Sequence, residues 1–313
     1  MSRGTAAAVR SLVYLGTPDA AVPPLRALVE SGHDVRLVVT RPDRRRARGA
    51  APSSSAVKAE AQRLCLPVAH DLAAAASAGA ELGVVVAYGR IIPARLLEQL
   101  PMVNLHFSLL PRWRGAAPVE RAILAGDATT GVCVMALEPD VDTGPVYARE
   151  EVAIEPGEHL GPLRDRLVSV GTRLLVGVLA GPLGTPEPQR GEPTYAKKLD
   201  PAELRLTWTR PAADLAAAVR LDRAWTTWRG RRLLVLDAEV AVARPQARGA
   251  GGGVPGGGGG APGPPGTLTG EAVVTGTGLL RLRRVQPEGR APMAAAEWRR
   301  GARPVTGERL GDS

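Results

Sequence analysis

The first 180 residues alternate short apolar runs with longer stretches in which apolar side chains recur at helical spacing. The runs at 9–15, 35–40 and 82–87 predict buried strands, and the stretches at 20–31 and 53–64 predict helices between them. Units of strand, helix and strand build parallel sheets with helices packed on their faces. The pattern therefore predicts an α/β domain in the first part of the chain.

The alternation continues to residue 180, where a connection rich in proline begins. The next predicted elements are a helix at 94–100, a strand at 102–106, a helix at 118–125, a strand at 131–137 and a helix at 160–180. Prolines at 182, 186, 188 and 193 then favour a rigid, extended segment. We therefore predict a first domain over residues 1–183 and a linker over 184–202.

Shorter elements follow from residue 203 onward. They are strands at 229–242, 266–274 and 278–285, with helices at 212–220 and near 293–300. Short strands separated by turns are typical of a small barrel or sandwich, so we predict a second, mostly β domain over 203–313. Residues 247–265 are nearly all Gly, Pro and Ala, a composition that cannot bury enough apolar surface to offset its ordering entropy. We predict a disordered loop there.

The composition argues against membrane and disulfide-rich proteins. The 313 residues are 44% hydrophobic and 23% charged, and no uncharged apolar run reaches the roughly 18 residues that a membrane span requires. The first residues lack the long apolar segment and cleavage pattern of a secretory signal, so we expect a cytoplasmic monomer without a membrane partner. Two cysteines and four histidines show no metal-ligand spacing, and we predict no metal site.

The positive charge is concentrated in the second part of the chain. The formal net charge is +9, and residues 191–313 have 19 basic side chains against 12 acidic ones, whereas 1–190 have 21 against 19. A basic domain beside a nearly neutral one indicates that the basic domain binds a phosphate backbone. An arginine-rich surface that is merely solvated is the alternative.

The turn after the first predicted strand argues against a dinucleotide cofactor. It reads Gly16-Thr17-Pro18-Asp19 and lacks the glycine spacing that lets a backbone approach a pyrophosphate closely. A structural turn in which Asp19 caps the next helix is the preferred interpretation.

Candidate chemistry is concentrated at the strand predicted over 102–106. Asn104 and His106 are two residues apart, so an extended strand projects both side chains from one face, at the strand end where open α/β sheets bind ligands. Asp140 and Asp142 follow on a later turn, and an aspartate that reaches a histidine orients the ring and stabilises its protonated form. Amide, imidazole and carboxylate together suit acyl transfer to an amine. Since no Ser or Cys stands in a nucleophile elbow, direct transfer is favoured over a covalent intermediate.

These residues belong to a longer recognisable pattern. It consists of Asn104-x-His106-x-Ser108-Leu109-Leu110-Pro111, Arg114-Gly115-x-x-Pro118, Asp142-x-Gly144 and Tyr195-Ala196-x-Lys198-Leu199. The pattern resembles the formyltetrahydrofolate-dependent formyltransferases over almost the whole chain. The resemblance implies a Rossmann-like catalytic domain with a parallel-rich sheet and an OB-like β-barrel as the second, tRNA-binding domain.

The resemblance also implies the reaction and the site residues. The expected reaction transfers a formyl group from 10-formyltetrahydrofolate, as co-substrate, to the α-amine of methionine on initiator methionyl-tRNA. Asn104, His106 and Asp142 are the implied catalytic residues. The implied folate-binding residues are Val86, Tyr88, Gly89, Ser108, Leu109, Leu110 and Pro111. The expected tRNA-binding residues are Arg41, Arg44, Arg45, Arg46, Arg48, Lys197 and Lys198.

Two other functions share part of this pattern. A formyltransferase of the same fold that acts on an amino sugar nucleotide or another small amine would use the same Asn, His and Asp. The arginines at 41–48 and the basic second domain are features that a small acceptor does not require. A non-catalytic RNA-binding protein would not need the three catalytic residue types together.

Overall fold

The computed structural model describes residues 10–45, 52–241, 263–305 and 307–311. Most of the segment predicted as a disordered loop, 247–262, lies outside the described residues. Contacts divide the chain into two compact units. The first is Met1–Ala122, Ala128–Ile154 and Gly161–Lys198, and the second is Ile123–Asp127, Glu155–Leu160 and Leu199–Ser313.

The first unit contains the elements that the apolar pattern predicts, with shifted ends. Its strands are β1 (Ser11–Gly16), β2 (Asp34–Val39), β3 (Arg44–Arg45), β4 (Pro52–Ser53), β5 (Val68–Ala69), β6 (Leu82–Val86), β7 (Met102–His106), β8 (Arg114–Gly115), β9 (Thr129–Ala136), β10 (Val146–Ala153) and β11 (Tyr195–Ala196). Its helices are α1 (Val22–Glu30), α2 (Ala56–Arg63), α3 (Ala94–Gln99), α4 (Pro118–Ala125) and α5 (Leu160–Leu179), except that the end of α4 from Ile123 and the first residue of α5 are assigned to the second unit. The bounds of β7 and α4 are those predicted.

Among the described residues, seven strands form one sheet in the order β10-β9-β7-β6-β1-β2-β5. The strands from β5 to β7 in this order are parallel, β9 is antiparallel to β7, and β10 is antiparallel to β9. The predicted α/β class with a parallel-rich sheet is confirmed. Because β2 and β6 lie on opposite sides of β1, the strand order reverses at β1, which is where open sheets of this kind bind ligands.

Strands β5 and β10 are the elements of this sheet that the sequence pattern did not predict. Strand β10 is an edge strand, and its residues Arg149–Glu151 are exposed and pair only with β9. Charged residues are characteristic of sheet edges because they discourage pairing with a second chain. The same charges remove the hydrophobic alternation by which strands are recognised.

The segment predicted as a linker, 184–202, pairs with the first unit over much of its length. Glu187 exchanges two backbone hydrogen bonds of 2.7 and 2.8 Å with Val146. Strand β11 pairs in parallel with β8. These contacts explain why the first unit extends to Lys198.

The second unit is built around an antiparallel sheet. Its elements are α6 (Ala212–Val219), β12 (Trp225–Trp228), β13 (Arg231–Ala241), β14 (Leu268–Thr269), β15 (Ala272–Val274), β16 (Leu279–Pro287), β17 (Met293–Ala294) and α7 (Ala295–Ala302). The strands pair in the order β12-β13-β16-β15-β14, with β17 on β16. Leu215, Val235, Leu280 and Trp298 belong to its buried core.

Two strands predicted in this unit differ from the structure because turns interrupt them. The strand predicted at 229–242 begins at Arg231, because Arg229 and Gly230 have φ angles of +49° and +70° and form the turn from β12. The strand predicted at 266–274 is a hairpin, with Gly270 at φ +51° between β14 and β15. Among the described helices, none combines the length and the apolar character needed to cross a membrane.

Candidate active site

Strand β7 presents Asn104 and His106 from one face, as the spacing of the two residues predicts. Both side chains are nearly buried, with 9% of Asn104 and 5% of His106 exposed. The neighbouring strands β6 and β9 fix their positions, since Asn104 lies opposite Val85 and Met135 in the sheet. The amide and the imidazole therefore have little freedom before any ligand binds.

Asp142 reaches these two side chains from the turn between β9 and β10. One carboxylate oxygen, Oδ1, lies 3.5 Å from the Asn104 Nδ2, and the other, Oδ2, lies 3.6 Å from the His106 Nδ1. Oδ2 also accepts a hydrogen bond of 2.7 Å from the backbone N–H of Gly115. Only the Gly115 bond is short, so the N–H groups of Asn104 and His106 remain available to a substrate atom.

The turn that carries Asp142 has to fold back over the sheet to make these contacts. Because β9 runs antiparallel to β7, its last residue, Ala136, lies beside Val103, away from the end of β7 at His106. Gly144 allows the return, since a Cβ atom there would lie 2.0 Å from the carbonyl oxygen of Ala136. Asp142 itself has a left-handed φ of +52°, which is costly for a non-glycine residue.

The second nitrogen of the His106 ring faces a backbone carbonyl. Nε2 lies 3.0 Å from the carbonyl oxygen of Trp113, and the Ser108 hydroxyl donates to the carbonyls of Arg112 and Trp113 at 2.6 and 3.4 Å. Both ring nitrogens thus face acceptors, Asp142 on one side and Trp113 on the other. A ring nitrogen that carries a proton can donate it to the acceptor that the nitrogen faces.

The segment that supplies the Trp113 carbonyl and the Gly115 N–H is held by residues of the predicted linker. Thr194 accepts hydrogen bonds of 2.8 Å from the backbone N–H groups of Trp113 and Arg114, with its side chain and its carbonyl respectively. Gly115 has φ +117°, and a Cβ atom there would lie 2.9 Å from the carbonyl oxygen of Ala196. This close approach requires glycine at position 115.

Sequence reasoning missed Gln189. Its Nε2 donates to the carbonyl oxygens of Asp142 and Gly144, both at 2.8 Å, and its Oε1 accepts from the Arg114 guanidinium at 2.7 and 3.0 Å. A single glutamine in a proline-rich segment has no pattern that marks it. The roles of the Trp113 carbonyl and the Gly115 amide were missed for a similar reason, since backbone groups carry no sequence signal.

Cys133 lies directly across the sheet from His106, on β9. Its side chain is fully buried, and burial raises the pKa of the thiol above its usual value. The thiol therefore stays protonated, and the thiolate is the form that acts as a nucleophile. Cys133 is therefore not a candidate nucleophile.

The residues expected to bind folate divide into a buried and an accessible group. Val86, Ser108 and Leu110 are buried, and Leu110 packs against Cys133 and Met135. Their side chains can only shape the walls of a site.

The accessible group lies in the turns that follow β6 and β7. Gly89 is exposed at φ +76°, whereas the neighbouring Tyr88 is only 2% exposed. Leu109 and Pro111 are half-buried. The backbone around Gly89 and the side chains of Leu109 and Pro111 are therefore able to contact a ligand directly.

The residues expected to bind tRNA are only partly described. Arg41 is half-buried, and its Nη1 lies 3.7 Å from the position that a Cβ on Gly89 would take. The backbone of Arg44 and Arg45 forms β3, which pairs with β4. Lys197 and Lys198 are exposed directly after β11. Arg46 and Arg48 lie outside the described residues.

Two family models match the chain. The model described as formyl transferase matches residues 10–179, and the model described as formyl transferase, C-terminal domain, matches residues 198–303. Together they cover most of the chain, and the match of the first includes β7 and the Asp142 turn.

Curated relatives are similar to the chain over nearly its full length. The methionyl-tRNA formyltransferase of Methylobacterium sp. is 44% identical over 96% of this chain and 98% of its own length. That of Roseobacter denitrificans is 42% identical over 93% of this chain and 95% of its own length. Among solved structures, HypX from Aquifex aeolicus in complex with tetrahydrofolic acid is similar with a TM-score of 0.59 at 18% identity, over 96% of this chain and 48% of that one. The last similarity concerns the fold alone.

We expect Gly144→Ala to destabilise the first unit by at least about 2 kcal/mol, because the added methyl group would overlap the Ala136 carbonyl and force the Asp142 turn off the sheet. Urea unfolding measures the change. Gly177→Ala is the matched control. Gly177 lies within α5 with no atom near its Cβ position, so this change should stabilise the helix by about 0.5–1 kcal/mol. Equal stability of the Gly144→Ala protein and the parent would contradict the close approach.

Proposed function

Because the chain belongs to the formyl transferase family, we propose that it transfers the formyl group of 10-formyltetrahydrofolate to the α-amine of methionine on initiator methionyl-tRNA. The observation that carries the proposal is the convergence of Asn104, His106 and Asp142, with contacts of 3.5 and 3.6 Å to the carboxylate. Relatives named for this reaction share about two-fifths of the residues over nearly the whole chain, which supports the choice of acceptor.

Asn104 and His106 stabilise the oxyanion that develops when the amine nitrogen attacks the formyl carbon. An amide N–H and a protonated imidazole N–H are suitable donors, and burial strengthens both interactions. Neither donor is fully used by Asp142, as the two long contacts indicate. The substrate oxygen completes the hydrogen bonding that the protein leaves open.

Asp142 keeps the His106 ring oriented and protonated, and it accepts the proton of the attacking amine through a water molecule. The new bond joins the amine nitrogen to the formyl carbon, and the bond from that carbon to N10 of the folate breaks. N10 leaves with the proton that the amine has lost, so charge and atoms balance. The short Gly115 bond holds the carboxylate in place during the transfer.

The folate would bind where accessible residues lie near these three side chains. The turn after β6 exposes Ala87 and Gly89, whose φ angles of +46° and +76° present backbone groups to a ligand. Leu109 and Pro111 are half-buried in the turn after β7 and offer apolar contact to a planar ring. These residues suit an aromatic ligand with polar edges.

The tRNA would bind the basic residues of both units. Arg41 lies close to Gly89 and the other expected arginines follow it in sequence, so an acceptor end bound there is near the proposed folate turn. Lys197 and Lys198 extend the basic surface beyond β11. The excess of basic side chains after residue 190 supplies further phosphate contacts.

The direct test of this function is a reconstitution. Purified protein is incubated with 10-formyltetrahydrofolate and methionyl-initiator tRNA, and the product is hydrolysed and analysed for N-formylmethionine. Formylmethionine is the expected product. A parallel incubation offers an amino sugar nucleotide as acceptor, and formylation of the sugar amine without formylation of the tRNA would favour the rival function.

We expect Asn104→Ala and His106→Ala each to lower kcat by about 100- to 1000-fold, because each removes a donor to the oxyanion. Binding of tRNA should stay within about twofold of the parent, since neither side chain touches the phosphates in this proposal. Asp142→Asn should lower kcat similarly, and Asp140→Asn, which changes an exposed carboxylate on the same turn, is the matched control. Near-parental turnover of either alanine variant would refute the assignment.

Replacing Arg44, Arg45 and Arg46 together by alanine should weaken tRNA binding and flatten its salt dependence. Removing one side chain that neutralises a phosphate lowers the slope of log K against log salt by about 0.7–0.9. The measurement is the tRNA dissociation constant at several salt concentrations. Arg95→Ala combined with Arg173→Ala removes exposed charges from α3 and α5 and serves as the control. A slope identical to that of the parent would remove the phosphate role of these arginines.

A further inference from the structure

The side-chain amide of Gln189 donates two hydrogen bonds through its nitrogen and accepts two through its oxygen. The two N–H bonds of its amide group are used by the carbonyls of Asp142 and Gly144, and both lone pairs of Oε1 are used by Arg114. The opposite orientation of the amide would place its NH2 group against a guanidinium and its oxygen against two carbonyls. The network therefore fixes which atom is oxygen and which is nitrogen.

The backbone around Gln189 is anchored on both sides. Before it, Glu187 is paired with Val146 at the start of β10. After it, Thr194 binds the backbone of Trp113 and Arg114, and β11 pairs with β8. Between these anchors, the half-buried side chain of Gln189 connects the Asp142 turn to the segment that contains Trp113, Arg114 and Gly115.

Both segments joined by Gln189 contribute directly to the candidate active site. One supplies the carboxylate of Asp142, and the other supplies the Gly115 N–H that binds this carboxylate and the Trp113 carbonyl that faces His106. The left-handed φ of Asp142 is unfavourable for the isolated chain, so the turn needs bonds from outside to hold it. Gln189 makes two such bonds, at the carbonyls on either side of Thr143.

We propose that Gln189 is a positioning residue for formyl transfer: it holds the Asp142 turn against the Arg114–Gly115 segment and thereby sets the distance from the carboxylate to His106. This inference rests on the proposed function. Gln189 itself does not touch the reacting atoms. Its loss lets the turn move, and displacements of about 1 Å in a catalytic group cost on the order of a hundredfold in rate.

The test is a double-mutant cycle between Gln189→Ala and Asp142→Asn, with kcat and KM measured for each protein. Gln189→Ala should lower kcat by about 10- to 100-fold, with KM for the tRNA within about twofold of the parent. In the Asp142→Asn background the same change should lower kcat less than about twofold, because the carboxylate through which Gln189 acts is gone. Gln99→Ala, an exposed glutamine at the end of α3, is the matched control. Additive effects, or a parental kcat in Gln189→Ala, would overturn the inference.

A second measurement does not depend on activity. Hydrogen exchange of the Gly115 amide should be faster in Gln189→Ala than in the parent and unchanged in Gln99→Ala, because the Asp142 carboxylate protects this amide. Unchanged protection of the Gly115 amide in Gln189→Ala would contradict the inference, whether or not the parent is active. If the parent formylates neither acceptor but Gln189→Ala exchanges this amide faster, the proposed function fails and the contact through Gln189 still holds the Asp142 turn. If Gln189→Ala does not fold, Gln189→Glu replaces it in both measurements, since a carboxylate still accepts from Arg114 but cannot donate to the two carbonyls.

Discussion

The hydrogen bond from the N–H of Gly115 to the carboxylate of Asp142 is the interaction on which the geometry of the candidate active site depends. The carboxylate is the common neighbour of Asn104 and His106, and neither of these binds it tightly. Without the Gly115 bond, an acidic side chain on a strained turn would turn toward water. The geometry of the site is therefore set by a backbone amide whose position depends in turn on Gly115 and Thr194.

Two sets of residues provide this arrangement, the central strands and the segments around them, and the strands are the more rigid set. The central strands fix Asn104 and His106, because β7 is paired on both sides and its residues are buried. The surrounding segments, at 113–115, 142–144 and 189–196, have little regular structure, and they hold one another by hydrogen bonds between side chains and backbone. The strands place Asn104 and His106, and the segments place the Asp142 carboxylate beside them.

Sequence patterns predicted the central strands better than the surrounding segments. The bounds of β7 followed from its apolar run, and the shared face of Asn104 and His106 followed from the period of a strand. The spacing to Asp142 did not by itself place the carboxylate beside His106, because the antiparallel direction of β9 and the return at Gly144 are tertiary features. Gln189 could not be found, since its function is to bind two carbonyls and a guanidinium from distant parts of the chain. Family resemblance identified the reaction, whereas the hydrogen bonds identified what supports it.

Three turns near the site contain a non-glycine residue in the left-handed region: Ala87 after β6, Trp113 after β7 and Asp142 after β9, with φ angles of +46°, +65° and +52°. Each such residue stores strain on the order of 1–3 kcal/mol that the rest of the fold has to balance. On warming, we expect these turns to relax at a lower temperature than the buried sheet, because the described strand residues of that sheet have no such φ angles to relieve. We therefore expect heat inactivation to begin as a local loosening of the turns around the candidate active site, while the spectroscopic signature of the folded sheet is still intact.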